Sequence, residues 1–192
     1  MSDHLYLSCW VRGYSGATML KHFETLLGLF PFSKLARRGA HVRVYALEHS
    51  EPALFERDFA KGAAPAAMVA SAAEFVHEDC SVEVEAAWDL WQNGDPGWEL
   101  RPAAVRLVCL GPEFDNEIGD HLRVELGLDA LYLPQPGVEG ALRMSQSNLR
   151  SLLHFVNDVA RVLPLERRQL WSESGVDFPA LLAETLARME SN

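Results

Sequence analysis

His22-Phe23-Glu24-Thr25-Leu26-Leu27-Gly28-Leu29 and His121-Leu122-Arg123-Val124-Glu125-Leu126-Gly127-Leu128 both begin on a histidine and end on Leu-Gly-Leu. Each follows a run of strand character, Leu5-Tyr6-Leu7-Ser8-Cys9 before the first and Val105-Arg106-Leu107-Val108-Cys109 before the second. A one-residue gap brings all four segments into a single alignment. Self-similarity at a fixed spacing marks repeated architecture, so the alignment predicts two copies of one strand-helix unit, with Leu-Gly-Leu closing a helix in each.

The first half extends this unit. Leu5, Leu7, Cys9 and Val11 alternate as a strand, and Met19, Leu20, Phe23, Leu26, Leu27 and Phe30 recur at helical spacing, with Ser15 as cap. Val42, Val44 and Ala46 alternate again, and residues 53–59 return as a hairpin partner. Met68, Val69, Ala72, Ala73 and Val76 predict a helix, and Val82, Val84 and Ala86 alternating with Glu83 and Glu85 predict a strand with one wet face. The order is βαββαβ, the ferredoxin-like split unit.

Gln92-Asn93-Gly94-Asp95-Pro96-Gly97 carries turn chemistry at nearly every position and predicts a boundary. Beyond it Leu149, Leu152, Leu153, Val156, Val159, Ala160 and Leu163 form one helical stripe, with Ser147 as cap and Pro164 as stop. Residues 165–171 follow, then a helix capped by Asp177, with Pro179 in its first turn and Leu181, Leu182, Thr185, Leu186 and Met189 on its buried face. The expected fold class is α+β, with tandem (duplicated) ferredoxin-like βαββαβ units and a C-terminal helical extension. The expected segments are 1–92, 98–164 (a shortened second copy) and 165–192.

A hydrophobic fraction of 48% with 23% charged residues predicts a globular chain that needs no metal or disulfide to fold. The formal net charge of -10 opposes nucleic acid and anionic membranes as partners, and the basic runs go no further than Arg37-Arg38 and Arg167-Arg168. No signal core or membrane-length apolar run is read, and three cysteines without CxxC spacing argue against a disulfide framework, so a soluble, cytoplasmic protein is expected.

Four acidic residues crowd Glu113-Phe114-Asp115-Asn116-Glu117-Ile118-Gly119-Asp120, but Leu126 stands where an EF-hand needs its bidentate glutamate. These carboxylates are therefore read as complementing the dipole of the helix expected after them. Cys9 and Cys109 fall in the buried strand phase, as small hydrophobes. Gly13-Tyr14-Ser15-Gly16 matches no phosphate-binding fingerprint, and no cofactor is expected.

Two function classes remain. The first is a non-catalytic cytoplasmic protein, built as a pseudo-dimer, that binds a small molecule or a protein partner. Its candidate ligand-binding residues are His22 and His121, which occupy matching places in the repeat, and Trp88 and Trp91 beside the boundary. The second is a small-molecule enzyme using His22, His121 and the acidic loop 113–120 as acid-base groups.

Overall fold

A computed structural model describes residues 3–95, 97–135 and 137–190, with the side chains of 188–190 outside that description. Pro96 of the expected boundary and the Met189 side chain of the expected tail helix thus lie outside what is described. The element order is β1 (His4–Val11), α1 (Gly16–Leu29), β2 (His41–Ala46), β3 (Phe55–Asp58), α2 (Pro65–Ala72), β4 (Cys80–Asn93), β5 (Trp98–Leu110), β6 (Leu122–Leu128), α3 (Ala141–Val162), β7 (Leu165–Ser172) and α4 (Phe178–Glu190).

The strands form one seven-stranded sheet in the order β3-β2-β4-β5-β6-β1-β7. Every pairing is antiparallel. Two-residue periodicity divides the side chains between its faces. The register carries an apolar row, Val42-Val84-Leu107-Val124-Leu7-Leu170, across six strands. Met19, Phe23, Leu26 and Leu27 of α1, Met68, Val69 and Ala72 of α2, and Leu152, Phe155 and Val159 of α3 cover that row in a single core. Full burial of one such side chain stabilises by about 1.5–3 kcal/mol. One residue along each strand, the opposite face carries His41-Glu85-Arg106-Glu125-Tyr6-Trp171.

The mixed α and β content matches expectation, as does the βαββαβ order over residues 4–93. The pairing does not. In a split βαβ unit the first strand lies between the third and the fourth, whereas here β2 takes that place and β5 and β6 separate β1 from β4. The second Leu-Gly-Leu ends strand β6 instead of a helix. The strand-helix repeat is therefore corrected: matching letters fall on a helix in one place and on a strand in the other. Residues 165–172 are likewise corrected from a helical extension to strand β7, which pairs with β1.

The turn chemistry at residues 92–97 closes a hairpin within the sheet, since Asn93 pairs with Trp98. β2 covers β4 only through Glu85, and β6 covers β5 only from Arg106 onward, so the hairpin runs on as a two-stranded ribbon. The ribbon's free β4 edge is capped by α3. Asn148 accepts the Trp91 N–H at 2.9 Å and donates to the Trp91 and Leu131 carbonyls at 2.8 and 2.7 Å. α3 starts at Ala141 after Gly140, six residues ahead of the expected Ser147 cap.

Both sheet edges are guarded. β3 is four residues long and reads Phe-Glu-Arg-Asp, and β7 carries Glu166, Arg167 and Arg168, with Arg168 directed inward onto the Val156 carbonyl at 2.9 Å. Short and charged edges of this kind resist further strand pairing. The helices pack on the apolar face, which leaves the charged face of the sheet free of helices.

Candidate functional site

Part of the helix-free face is covered by the β5–β6 loop. Phe114 of that loop packs with Val108, Leu110 and Tyr45 in a small second apolar cluster. Asp120 turns inward, accepting hydrogen bonds from Ser8 Oγ at 2.6 Å and from Arg123 at 2.6 and 2.9 Å. The expectation that the loop's carboxylates cap a helix is corrected here, because strand β6 follows and Asp120 is spent on a buried polar network.

The uncovered part is a groove of about 1270 Å³, running from Asp58 and His41 across Glu85 and Arg106 to Glu125 and His4. Its floor is made by Ala87, Ala104 and Gly127, small residues in adjacent strands beyond the charged row. Its flank is fixed by cross-strand pairs, of which Arg106–Glu125 and His41–Asp58 are directly opposite in register and Arg43–Glu85 is diagonal. Arg43 Nη1 lies 2.5 Å from Glu85, Arg106 Nη2 2.6 Å from Glu125, and His41 Nδ1 2.7 Å from Asp58.

The loop before β2 forms the remaining wall. Asp89 holds it from the ribbon, accepting from Ser33 Oγ, from the Lys34 N–H at 2.8 Å and from the Leu35 N–H at 3.3 Å. At its far end Gly39 passes so close to β3 that a Cβ there would strike the Phe59 carbonyl. This wall is pinned at both ends, which places Arg38 on rigid backbone.

Ser81, His49 and Glu83 meet beside the groove, and these are the residue types of a nucleophile relay. Both Ser81 Oγ, at 3.0 Å, and Glu83, at 2.9 Å, approach the same ring nitrogen, Nε2. A relay needs serine and acid on opposite nitrogens, and Ser81 is fully buried. Burial pushes the Glu83 carboxyl up, but the His49 hydrogen bond and the Arg106 charge outweigh it and leave its pKa below the ordinary value. Glu83 is thus a buried carboxylate held between His49 and Arg106.

His22 and His121 both lie against Tyr14, and no symmetry relates them. Tyr14, in the turn between β1 and α1, stacks on His121 at 4.1 Å and on His22 at 6.2 Å between ring centroids. His121 Nδ1 accepts the Val11 N–H at 2.8 Å, which fixes the neutral tautomer. Burial holds both imidazoles below their usual pKa, with Lys21 adding to the effect at His22. Tyr14 donates to the Leu110 carbonyl at 2.7 Å and touches Cys109 Sγ at 3.2 Å.

Trp88 and Trp91 fall on opposite faces of β4, and Trp88 is buried against Phe30 and Phe155. Burial pushes the Cys9 and Cys109 thiols up to about 12. Among the described residues, no three His, Cys, Asp or Glu side chains are grouped to hold a metal ion, and no helix is long and apolar enough to cross a membrane. Comparison with protein-family models, with curated proteins and with solved structures finds no match for this chain.

The groove residues His41, Arg43, Glu85, Arg106 and Glu125 were not candidates from sequence. The signal available for them was a charged residue alternating with apolar ones in each of β2, β4, β5 and β6.

Proposed function

We propose that this protein is a non-catalytic binding protein that receives a small polar molecule in the groove across its helix-free sheet face. One observation carries the reading: a concave site of about 1270 Å³ with a floor of small residues and charges fixed in place by strand register. Ligand sites of the usual kind span about 300–1,000 Å³ with a few convergent polar groups, and a groove open along its length exceeds that range. Guarded edges favour a small molecule over strand addition by a protein partner. The burial of the Cys9 and Cys109 thiols and of Ser81 favours binding over nucleophilic chemistry.

Native mass spectrometry of protein purified from its own host tests the proposal. A retained small molecule is expected. Ala104→Trp, a substitution at an exposed floor position, should abolish retention without moving the unfolding midpoint. Equal retention by the filled variant would reject the groove.

The alternative, an acid-base enzyme, is favoured by the meeting of His22 and His121 on Tyr14. It predicts that His121→Gln abolishes turnover of whatever molecule is retained, whereas the binding reading predicts no turnover by either protein.

A further inference from the structure

Three arginines and three carboxylates line the groove: Arg38, Arg43, Arg106, Asp58, Glu85 and Glu125. Two of the arginines are committed to Glu85 and Glu125, and Asp58 to His41. Among the described residues Arg38 has neither an ion pair nor a hydrogen bond, although it stands on the pinned wall. Of the groove's arginines, Arg38 is the one without a carboxylate partner among the described residues, on a chain of net charge -10.

A second observation lies beneath it. A pit of about 70 Å³ opens next to the groove and shares Arg38, Gly39, Ala40 and Ala87 with it. Phe32, Ala36, Ala63 and Met68 give the pit an apolar lining. Lys61 also lines it, exposed like Arg38. The Lys61 ammonium donates to the Lys34 carbonyl, and among the described residues no carboxylate pairs with it. Two cations without a carboxylate partner therefore line an apolar pit too small for more than a short branched chain.

We infer that the groove's ligand is a small organic anion, which inserts a short apolar group into this pit and sets its carboxylate or phosphate between Arg38 and Lys61. The inference rests on the groove being the binding site and adds the chemical class of its occupant. Apolar burial in the pit supplies affinity, and charge-assisted hydrogen bonds at its mouth supply orientation. The alternating ion pairs along the rest of the groove remain available to the polar remainder of a larger molecule.

Methyl and amide NMR titrations test it, with 3-methylbutanoate as the probe carrying both features. Acetate keeps only the charge, 3-methylbutan-1-ol only the chain, and 3-methylbutyl phosphate exchanges one anionic head for the other. Both anions with the chain should shift the Met68 methyl and the amides of residues 36–40, and the tighter of the two identifies the head group. Acetate and the alcohol should each need at least about tenfold more probe for the same shift.

Arg38→Ala with Lys61→Ala should bring the carboxylate down to the level of the alcohol, and Ala63→Leu, which fills the pit, should bring it down to acetate. An alcohol that binds as tightly as the anions, or anion shifts unchanged in the double variant, would overturn the inference. A host molecule retained in a manner sensitive to Ala104→Trp but indifferent to the double variant would overturn it while leaving the groove standing. No retained molecule and no shifts would remove both.

Discussion

Replacing Asn148 by alanine removes the side chain that, among the described residues, closes the free β4 edge of the β4–β5 ribbon at Trp91. Asn148 is 2% exposed and makes three hydrogen bonds to backbone groups, all of 2.9 Å or shorter. Each such bond contributes about 1 kcal/mol net, and a buried group left unsatisfied costs about 1–3 kcal/mol. The expected loss is therefore about 3 kcal/mol, rising toward about 5 kcal/mol if the vacated space stays dry.

For a chain of this size that corresponds to a fall of roughly 6–12 °C in Tm. Urea unfolding followed by tryptophan fluorescence measures it directly, because Trp88 sits in the core under α3. Asn148→Asp sharpens the test. The introduced carboxylate would face the Trp91 and Leu131 carbonyls, which raises its pKa in the folded state. The folded state then binds more protons than the unfolded one, so the penalty is full above the raised pKa and is relieved as pH falls through it toward the ordinary value of about 3.9. The aspartate variant should regain stability in mild acid, and the alanine variant should not. A loss under about 1 kcal/mol for alanine, or identical pH profiles, would refute the edge-capping account.

Cys9 and Cys109, with their thiols pushed up to about 12, should resist labelling in native protein and react after unfolding; fast native labelling of either would contradict their place in the core. His22 and His121 have lowered pKa values in the folded state, so the unfolded chain binds more protons just below the ordinary histidine value of about 6.5. Stability should therefore be full above that pH and decline below it, and His121→Phe should flatten the decline; an unchanged slope would rule out His121 as a source. Melting with chelator, calcium or magnesium should give one midpoint, because Asp120 is already bound to Ser8 and Arg123; a metal-dependent rise of several degrees would reverse that reading.

Leu122–Leu128 shows both what was legible and what hid it. Leu122, Val124 and Leu126 alternate with Arg123 and Glu125, a period of two that belongs to a strand. The matching letters at residues 22–29 drew the same segment into a helix. Sequence similarity over eight residues constrains structure less than the period does, because the period decides which side chains can share a buried face.

α3 was legible from Leu149 onward and not before. Its first two turns bury Ala141, Ser145 and Asn148, small or polar residues that leave no hydrophobic stripe. The groove was half legible. Each wet strand face could be read, but the juxtaposition of Arg43 with Glu85 and of Arg106 with Glu125 depends on register between distant segments. Arg37-Arg38 reads in sequence as a solvated turn, and its position over a pit depends on Asp89 and Gly39 pinning the loop.

The position of β1 has a consequence for how the chain is made. β1 is synthesised before every other described element, yet its hydrogen-bonded neighbours are β6 and β7, which begin at Leu122 and Leu165. At a synthesis rate of about 5–20 residues per second, roughly 8–30 s separate the end of β1 from the start of β7. During that interval β2, β3, β4 and β5 can assemble by local hairpins, while Leu5, Leu7, Cys9 and Val11 wait without a partner on either side. Such long-range closure slows folding and leaves an apolar nascent segment open to misassociation. Among the described strands the last to emerge completes the place of the first, so vectorial synthesis leaves the sheet unfinished until β7 has appeared.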